Sequence, residues 1–429
     1  MKQRIVQILA VTAAALLVVG CSAGESTAPS GEVLWPAPAD GNGGATDTGV
    51  SDDEIVTATV YSGAAAVGSN TQGVLRGVEA YYDYVNDHGG LFGRTLRTIG
   101  IDDGLDTAKA QAGCTNQVES VFAFVGNLSL VDTGCYPVVT ENEVPWIGMK
   151  LDPRWAGYAG WRDFETGPPQ TLAQGPYEYY AQQNPDVKKV AVFWNNAPGL
   201  DVVSEYWAGT WESVGIDVVY NVGINVPVSN YTPYVIAARE AGAEAVDTST
   251  MDVTNASRVA QAMAEQGWDP ALKVGYTSYN PEWQALTGDG GVGWQAALST
   301  VPYQSEEELA ATEGGELFLQ YWGARNPGQS PDVFDLYGWI NAELFVQGAI
   351  DAGADLTRAG TLAGIDALPS FDGQGLIGEQ LQPVGGQNVL TCFIIVETDS
   401  VSEPAQRTHP ASGFDCSNKT LISLGGPVD

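Results

Sequence analysis

Few residues of this chain are equipped for covalent chemistry. His88 and His409 are its only histidines, there is no C-x-x-C pair, and no G-x-S-x-G, phosphate-loop or H-E-x-x-H motif occurs. Asp102-Asp103 could act as a paired carboxylate for acid–base work. It closes an apolar run, however, where acids more simply cap the turn and the next helix. Gly290-Gly291-Val292-Gly293 lacks the flanking strand and helix of a dinucleotide site and reads as a loop. No enzyme is expected, and no metal or cofactor. Lys150 is more informative: one of few lysines in an acidic chain, it could pair with a ligand carboxylate or extend to solvent. Tyr276, Tyr279, Trp146 and Trp194 could wall a planar or apolar ligand, or pack in cores.

These residues fall at the ends of predicted strands. Apolar, β-branched runs at 54–61, 96–101, 121–126 and 144–149 alternate with helical patterns at 71–87, 107–119 and 132–140. Gly89-Gly90 ends the first helix. The rhythm resumes with strands at 190–194, 217–222, 245–250 and 273–277 around helices at 203–214 and 255–266. Two long helices (306–325 and 332–352) and a strand-rich end (376–397) follow. Such alternation predicts an α/β fold with parallel sheets covered by helices on both faces, and this length predicts two domains. Open parallel sheets bind ligands at the carboxyl ends of their strands. The candidate ligand residues are therefore Ser62, Asn127, Ser129, Met149, Lys150 and Leu151 from the first sheet, and Asn195, Thr250, Tyr276 and Tyr279 from the second.

Compartment follows from the first residues. Lys2 and Arg4 precede an apolar run from Ile5 to Val19, and Gly20-Cys21 follows, the pattern of an export signal with a cysteine placed for lipidation. Cys21 would then anchor the protein to the outer face of the cytoplasmic membrane, through lipid alone. Eighteen Lys+Arg against 52 Asp+Glu leave a net charge of -34, which repels phosphate backbones; no nucleic acid partner is expected. Four cysteines remain for an oxidising compartment and allow three pairings; proximity favours Cys114 with Cys135 and Cys392 with Cys416. Residues 21–53, rich in Gly, Ser, Thr, Pro and Asp, read as a flexible tether, with Val33-Leu34-Trp35 as a possible docking point.

Asn86-Asp87-His88-Gly89-Gly90-Leu91-Phe92-Gly93-Arg94 resembles the N-x-x-G-G-I-x-G-R/K turn of type I periplasmic binding proteins, in particular the leucine/isoleucine/valine-binding branch. Leu96–Asp103, Phe122-Ala123-Phe124-Val125-Gly126 and Val144-Pro145-Trp146-Ile147-Gly148 resemble that family's next strands. The resemblance spans about residues 54–398 and is most specific over 54–150. It implies two doubly wound parallel-sheet lobes joined by three crossings: N-lobe at 54–167 and 301–376, C-lobe at 168–300 and 377–398, after a signal peptide (1–20) and the tether, and before a tail at 399–429. It adds Leu130, Thr166 and Gln170 to the ligand candidates. Residues 164–170 resemble the segment where amino-acid binders carry the acid that meets the ligand's ammonium. Pro168-Pro169-Gln170 stand there instead, which counts against ordinary α-amino acids. On this fold a Cys114–Cys135 bridge would staple a helix beside the loop at Ser129. The implied protein is a lipid-anchored, monomeric binder of a small polar or amphipathic solute that delivers it to an ABC permease complex. A ligand-binding sensor on the same fold, with a separate signalling partner, is the other reading.

Overall fold

The computed structural model describes residues 32–64, 69–165, 171–196, 200–225, 228–378, 389–423 and 426–428. Cys21, Thr166 and Gln170 lie outside the described residues, as does the export signal. Glu54–Tyr61 (β1) is apolar and β-branched, and every residue from Thr57 to Tyr61 is buried. Burial on both faces is what a central parallel strand requires. β1 lies between Thr95–Asp102 (β2) and Ala123–Asn127 (β3). Trp146–Gly148 (β4) and Trp161–Arg162 (β5) extend the sheet in the order β2-β1-β3-β4-β5, parallel throughout. β2, at the edge, mixes buried and exposed positions.

The second sheet comprises Lys189–Asn195 (β6), Asp217–Ile224 (β7), Ala245–Thr250 (β8), Leu272–Val274 (β9), Trp294–Leu298 (β10), Ile394–Glu397 (β11) and Gln406–His409 (β12). Its order is β7-β6-β8-β9-β10-β11-β12, the first five parallel and the last two antiparallel. The chain passes between the sheets three times: after Arg162, after Leu298 and before Ile394. This is the predicted α/β architecture, with two antiparallel strands added at one edge of the second sheet.

Gly73–Asp87 (α1) and Val333–Ala352 (α2) cross in close contact on the first sheet. A Cβ on Gly338 would come within 2.0 Å of the Val74 carbonyl oxygen, and one on Gly77 within 2.0 Å of the Asp335 carbonyl oxygen. Only residues without a side chain permit that approach. Asp332 and Asp335 form a capping box at the start of α2, and Arg76 of α1 binds Asp335 at 2.8 Å, pinning the two helices together.

Three expectations need revision. The helix expected at 306–325 is two, Glu306–Ala310 and Glu313–Arg325, because the Thr312 side chain caps the second through Gly315 N–H. Of the strand-rich end at 376–397, only Ile394–Glu397 among the described residues enters the sheet. The described part of the tether, 32–53, is packed rather than free. Leu34 N–H donates to His88 O (3.2 Å), Phe92 N–H to Trp35 O (2.9 Å), and Trp35 meets Tyr84 edge-on. Arg94, fully buried, donates to the carbonyls of Ser51 (2.7 Å), Gly44 (2.8 Å), Ala354 (3.0 Å) and Asn42. One guanidinium thus meets the carbonyls of a segment that has little hydrophobic surface of its own.

The tail from 399 is likewise part of the body. Gln406–His409 joins the second sheet, Leu421–Ser423 pairs with Thr171–Ala173, and Cys416 is bonded to Cys392. Cys114 is bonded to Cys135, so both expected pairings are present. Among the described residues no helix is long and apolar enough to cross a membrane.

Candidate ligand-binding cleft

The carboxyl ends of β1, β3 and β4 open into three loops that share hydrogen bonds. The Ser62 hydroxyl accepts from Leu130 N–H (3.0 Å), and Asn127 Oδ1 from Val60 N–H (3.0 Å). The Ser129 hydroxyl donates to Asp103 Oδ2 (2.5 Å), which gives the acid pair at 102–103 a structural task. Asp132 takes Leu151 N–H (2.8 Å) and Asp152 N–H (3.0 Å), tying the loop after β3 to the loop after β4. Ser62, Asn127 and Ser129, all buried, thus spend these polar contacts on loop geometry. Burial lifts the Asp132 carboxyl to about 6 despite those two amides.

Leu130 and Leu151 have the opposite character: they are 38% and 51% exposed. Met149 packs partly into the core, and its carbonyl accepts from the Trp146 indole. Trp146 is wholly buried and stacks on Trp155, so it belongs to the core. Lys150 is 7% exposed, with Nζ 4.6 Å from the centre of the Trp161 ring. No hydrogen bond or ion pair engages that ammonium among the described residues. Burial pulls its pKa down, while the charges of Asp163 and Asp132 act in the other direction. The sequence motive for singling out Lys150 was its rarity; its burial is a tertiary fact.

On the second sheet, Asn195 ends β6 and donates to Asp252 Oδ2 (2.6 Å), leaving Asn195 Oδ1 enclosed without a partner. Thr250 ends β8 and is partly exposed. Trp194, also partly exposed, donates to Asn221 Oδ1 (2.9 Å). Tyr276 follows β9 and reaches the first lobe, its hydroxyl 3.2 Å from that of Tyr337 on α2. Tyr279 is 1% exposed and takes Gln304 N–H on its hydroxyl (3.2 Å), so it is a brick of the core beside Tyr303.

Sequence reasoning missed Glu165, which lies in the first crossing. Ser299, in the second crossing, donates to its Oε1 (3.0 Å). Its Oε2 is enclosed and has no partner among the described residues. Burial, with the nearby Asp163 charge, raises this carboxyl to about 7, although the hydroxyls of Tyr337 and Ser299 favour the ionised form. A carboxylate therefore stands at the hinge, three residues before Pro168; its neighbour Phe164 packs on Tyr337. The signal for it was present, as an acid between two aromatic or small residues, but its partners come from residues 299 and 337.

Two largely parallel sheets joined by three crossings describe a two-lobed fold. A family profile described as "Periplasmic binding protein" matches residues 55–403. The chain belongs to that family. Its type I periplasmic binding fold recurs in solved structures. The fatty acid ABC transporter substrate-binding protein from Thermomonospora curvata is 17% identical, covering 84% of this chain and 94% of that one with a TM-score of 0.67. The substrate-binding protein LivJ from Streptococcus pneumoniae, in complex with isoleucine, is 16% identical over 83% of this chain and 100% of its own, again at 0.67. The leucine-binding protein LivK from Thermotoga maritima is 13% identical over 82% and 97%, also at 0.67. At these identities the likeness is one of fold. No curated protein sequence matches this one.

Proposed function

We propose that this periplasmic binding protein is an extracytoplasmic, lipid-anchored solute receptor. It captures a small polar or amphipathic molecule, of the amino acid, amide or aromatic acid class, between its lobes and delivers it to an ABC importer. The observation that supports this reading is the loop system at the carboxyl ends of β1, β3 and β4, braced internally, together with Tyr276 after β9, whose hydroxyl meets that of Tyr337 on α2. The fatty acid and branched-chain amino acid proteins of the same fold agree with it.

In this reading the lobes are 54–167 with 301–376, and 168–300 with 377–398. Ligand favours the closed form because only there do both lobes touch it. Lipid on Cys21 holds the protein at the membrane, and the described residues 32–53 dock on the body. The protein works as a monomer and returns its ligand unaltered.

A thermal-shift screen of the mature protein, with Cys21 removed, tests the proposal against amino acids, amides, urea, polyamines, aromatic acids and aliphatic acids. Selective stabilisation by one class is expected, because a ligand confined to the folded state raises the melting temperature. A flat response across all classes would refute solute capture.

A further inference from the structure

We propose that the solute is an amphipathic monocarboxylate without an ammonium group, its carboxylate paired with Lys150 and its hydrocarbon laid on Leu130 and Leu151. This rests on the binding-protein reading above and narrows its ligand class.

Lys150 is the first ground. An ammonium on a side chain that is only 7% exposed is normally paired, because leaving a buried charge uncompensated is costly. Here its one close contact among the described residues is the face of Trp161, 4.6 Å away. The two acids that act on it are engaged by amides: Asp132 by Leu151 and Asp152, and Asp163 by Phe164 at 2.8 Å. A cation kept in that condition, in the loop beyond a parallel strand that leads to the cleft, is a place prepared for an anion.

The second ground is independent of charge. Only five large aliphatic side chains stand exposed among the described residues, and two of them, Leu130 and Leu151, occupy the loops on either side of the Asp132 brace. Exposed aliphatic surface gathered at a loop face marks a contact for apolar matter. Lys150 precedes Leu151 in the loop after β4, so one loop carries both the cation and an exposed hydrocarbon side chain.

The third ground is what this face lacks. An ammonium needs acceptors, and those nearby are committed: Ser62 Oγ to Leu130 N–H, Asn127 Oδ1 to Val60 N–H, and the Asp132 carboxylate to two amides. Glu165, with its free Oε2, is the acceptor that an amino acid would use instead. That makes Glu165 the control.

The experiment is calorimetric titration of the mature chain with octanoate, octanamide and L-leucine, on wild type, K150M, L151N and E165Q. Octanoate is expected to bind wild type, and octanamide at least about 10-fold more weakly. K150M should lose octanoate by about 30-fold or more, and L151N by about 5-fold, with melting temperatures kept. Replacing a buried unpaired cation by an apolar side chain of similar length leaves folding intact. If K150M binds octanoate as wild type does, or if L-leucine binds more tightly than octanoate and E165Q abolishes it, the inference is wrong while solute capture stands. If neither these probes nor the wider screen bind, both fall.

Discussion

Replacing Glu165 by glutamine should make the protein more stable above neutral pH and change little in acid. The carboxyl ionises at about 7 in the fold, against 4.5 for an unperturbed glutamate. A raised folded pKa means that the folded state holds the proton more tightly than the unfolded chain. The resulting stability is complete below pH 4.5 and is lost as pH rises through 7. A displacement of this size corresponds to at most about 3 kcal/mol. The amide of E165Q keeps an oxygen for Ser299 Oγ–H and carries no charge, so the variant's stability lacks this slope. Urea denaturation of wild type and E165Q at about pH 5 and about pH 8.5 provides the comparison. The difference between the two proteins should grow by about 2 kcal/mol in favour of the variant, the self-repulsion of the acidic surface cancelling between them. A difference that stays constant with pH would show that Glu165 is ionised and well solvated at the hinge, and the account of the crossing as a desolvated joint would be refuted.

Arg94→Met should release the strap at 32–53, costing about 2–4 kcal/mol as four carbonyls lose a charged donor. Amide exchange should then rise first at residues 42–51, and protection that persists there would contradict the clamp. Replacing Cys392 and Cys416 together by serine should cost about 3 kcal/mol and open residues 399–423 to proteolysis, read as an early cleavage in the tail. Gly338→Val, which forces side-chain atoms onto the Val74 carbonyl, should destabilise by about 3 kcal/mol or more and lower the melting temperature by several degrees. A neutral effect would mean that α1 and α2 have room to part.

The family likeness was readable because it rests on local facts. β1 shows its central place by being apolar on both faces, and α1 shows its buried stripe through Val74, Val78, Tyr81 and Val85. The cysteines were few enough for proximity to pair them correctly. Parallel sheets covered by helices follow once alternation of strand and helix is recognised, and the three crossings came with the family resemblance.

Composition misjudged the strap, since a run of Gly, Ser and Asp says what is free to move but not whether an arginine 43 to 52 residues away holds its carbonyls. The cleft residues divided in the same way. As letters, Ser129 and Lys150 were equal candidates; in the fold Ser129 is spent on Asp103, and the Lys150 ammonium lies over Trp161 without a hydrogen bond among the described residues. Tyr279 and Trp146 could have been walls or core and are core, whereas Glu165 was passed over and sits at the hinge with an oxygen that has no hydrogen bond among the described residues. Sequence by itself determined the α/β class, the parallel sheets and the two bridges, because hydrophobic periodicity and spacing are properties of neighbours along the chain. Only the tertiary structure decided which polar groups remain available, because each hydrogen bond is settled by a partner that the chain brings in from elsewhere.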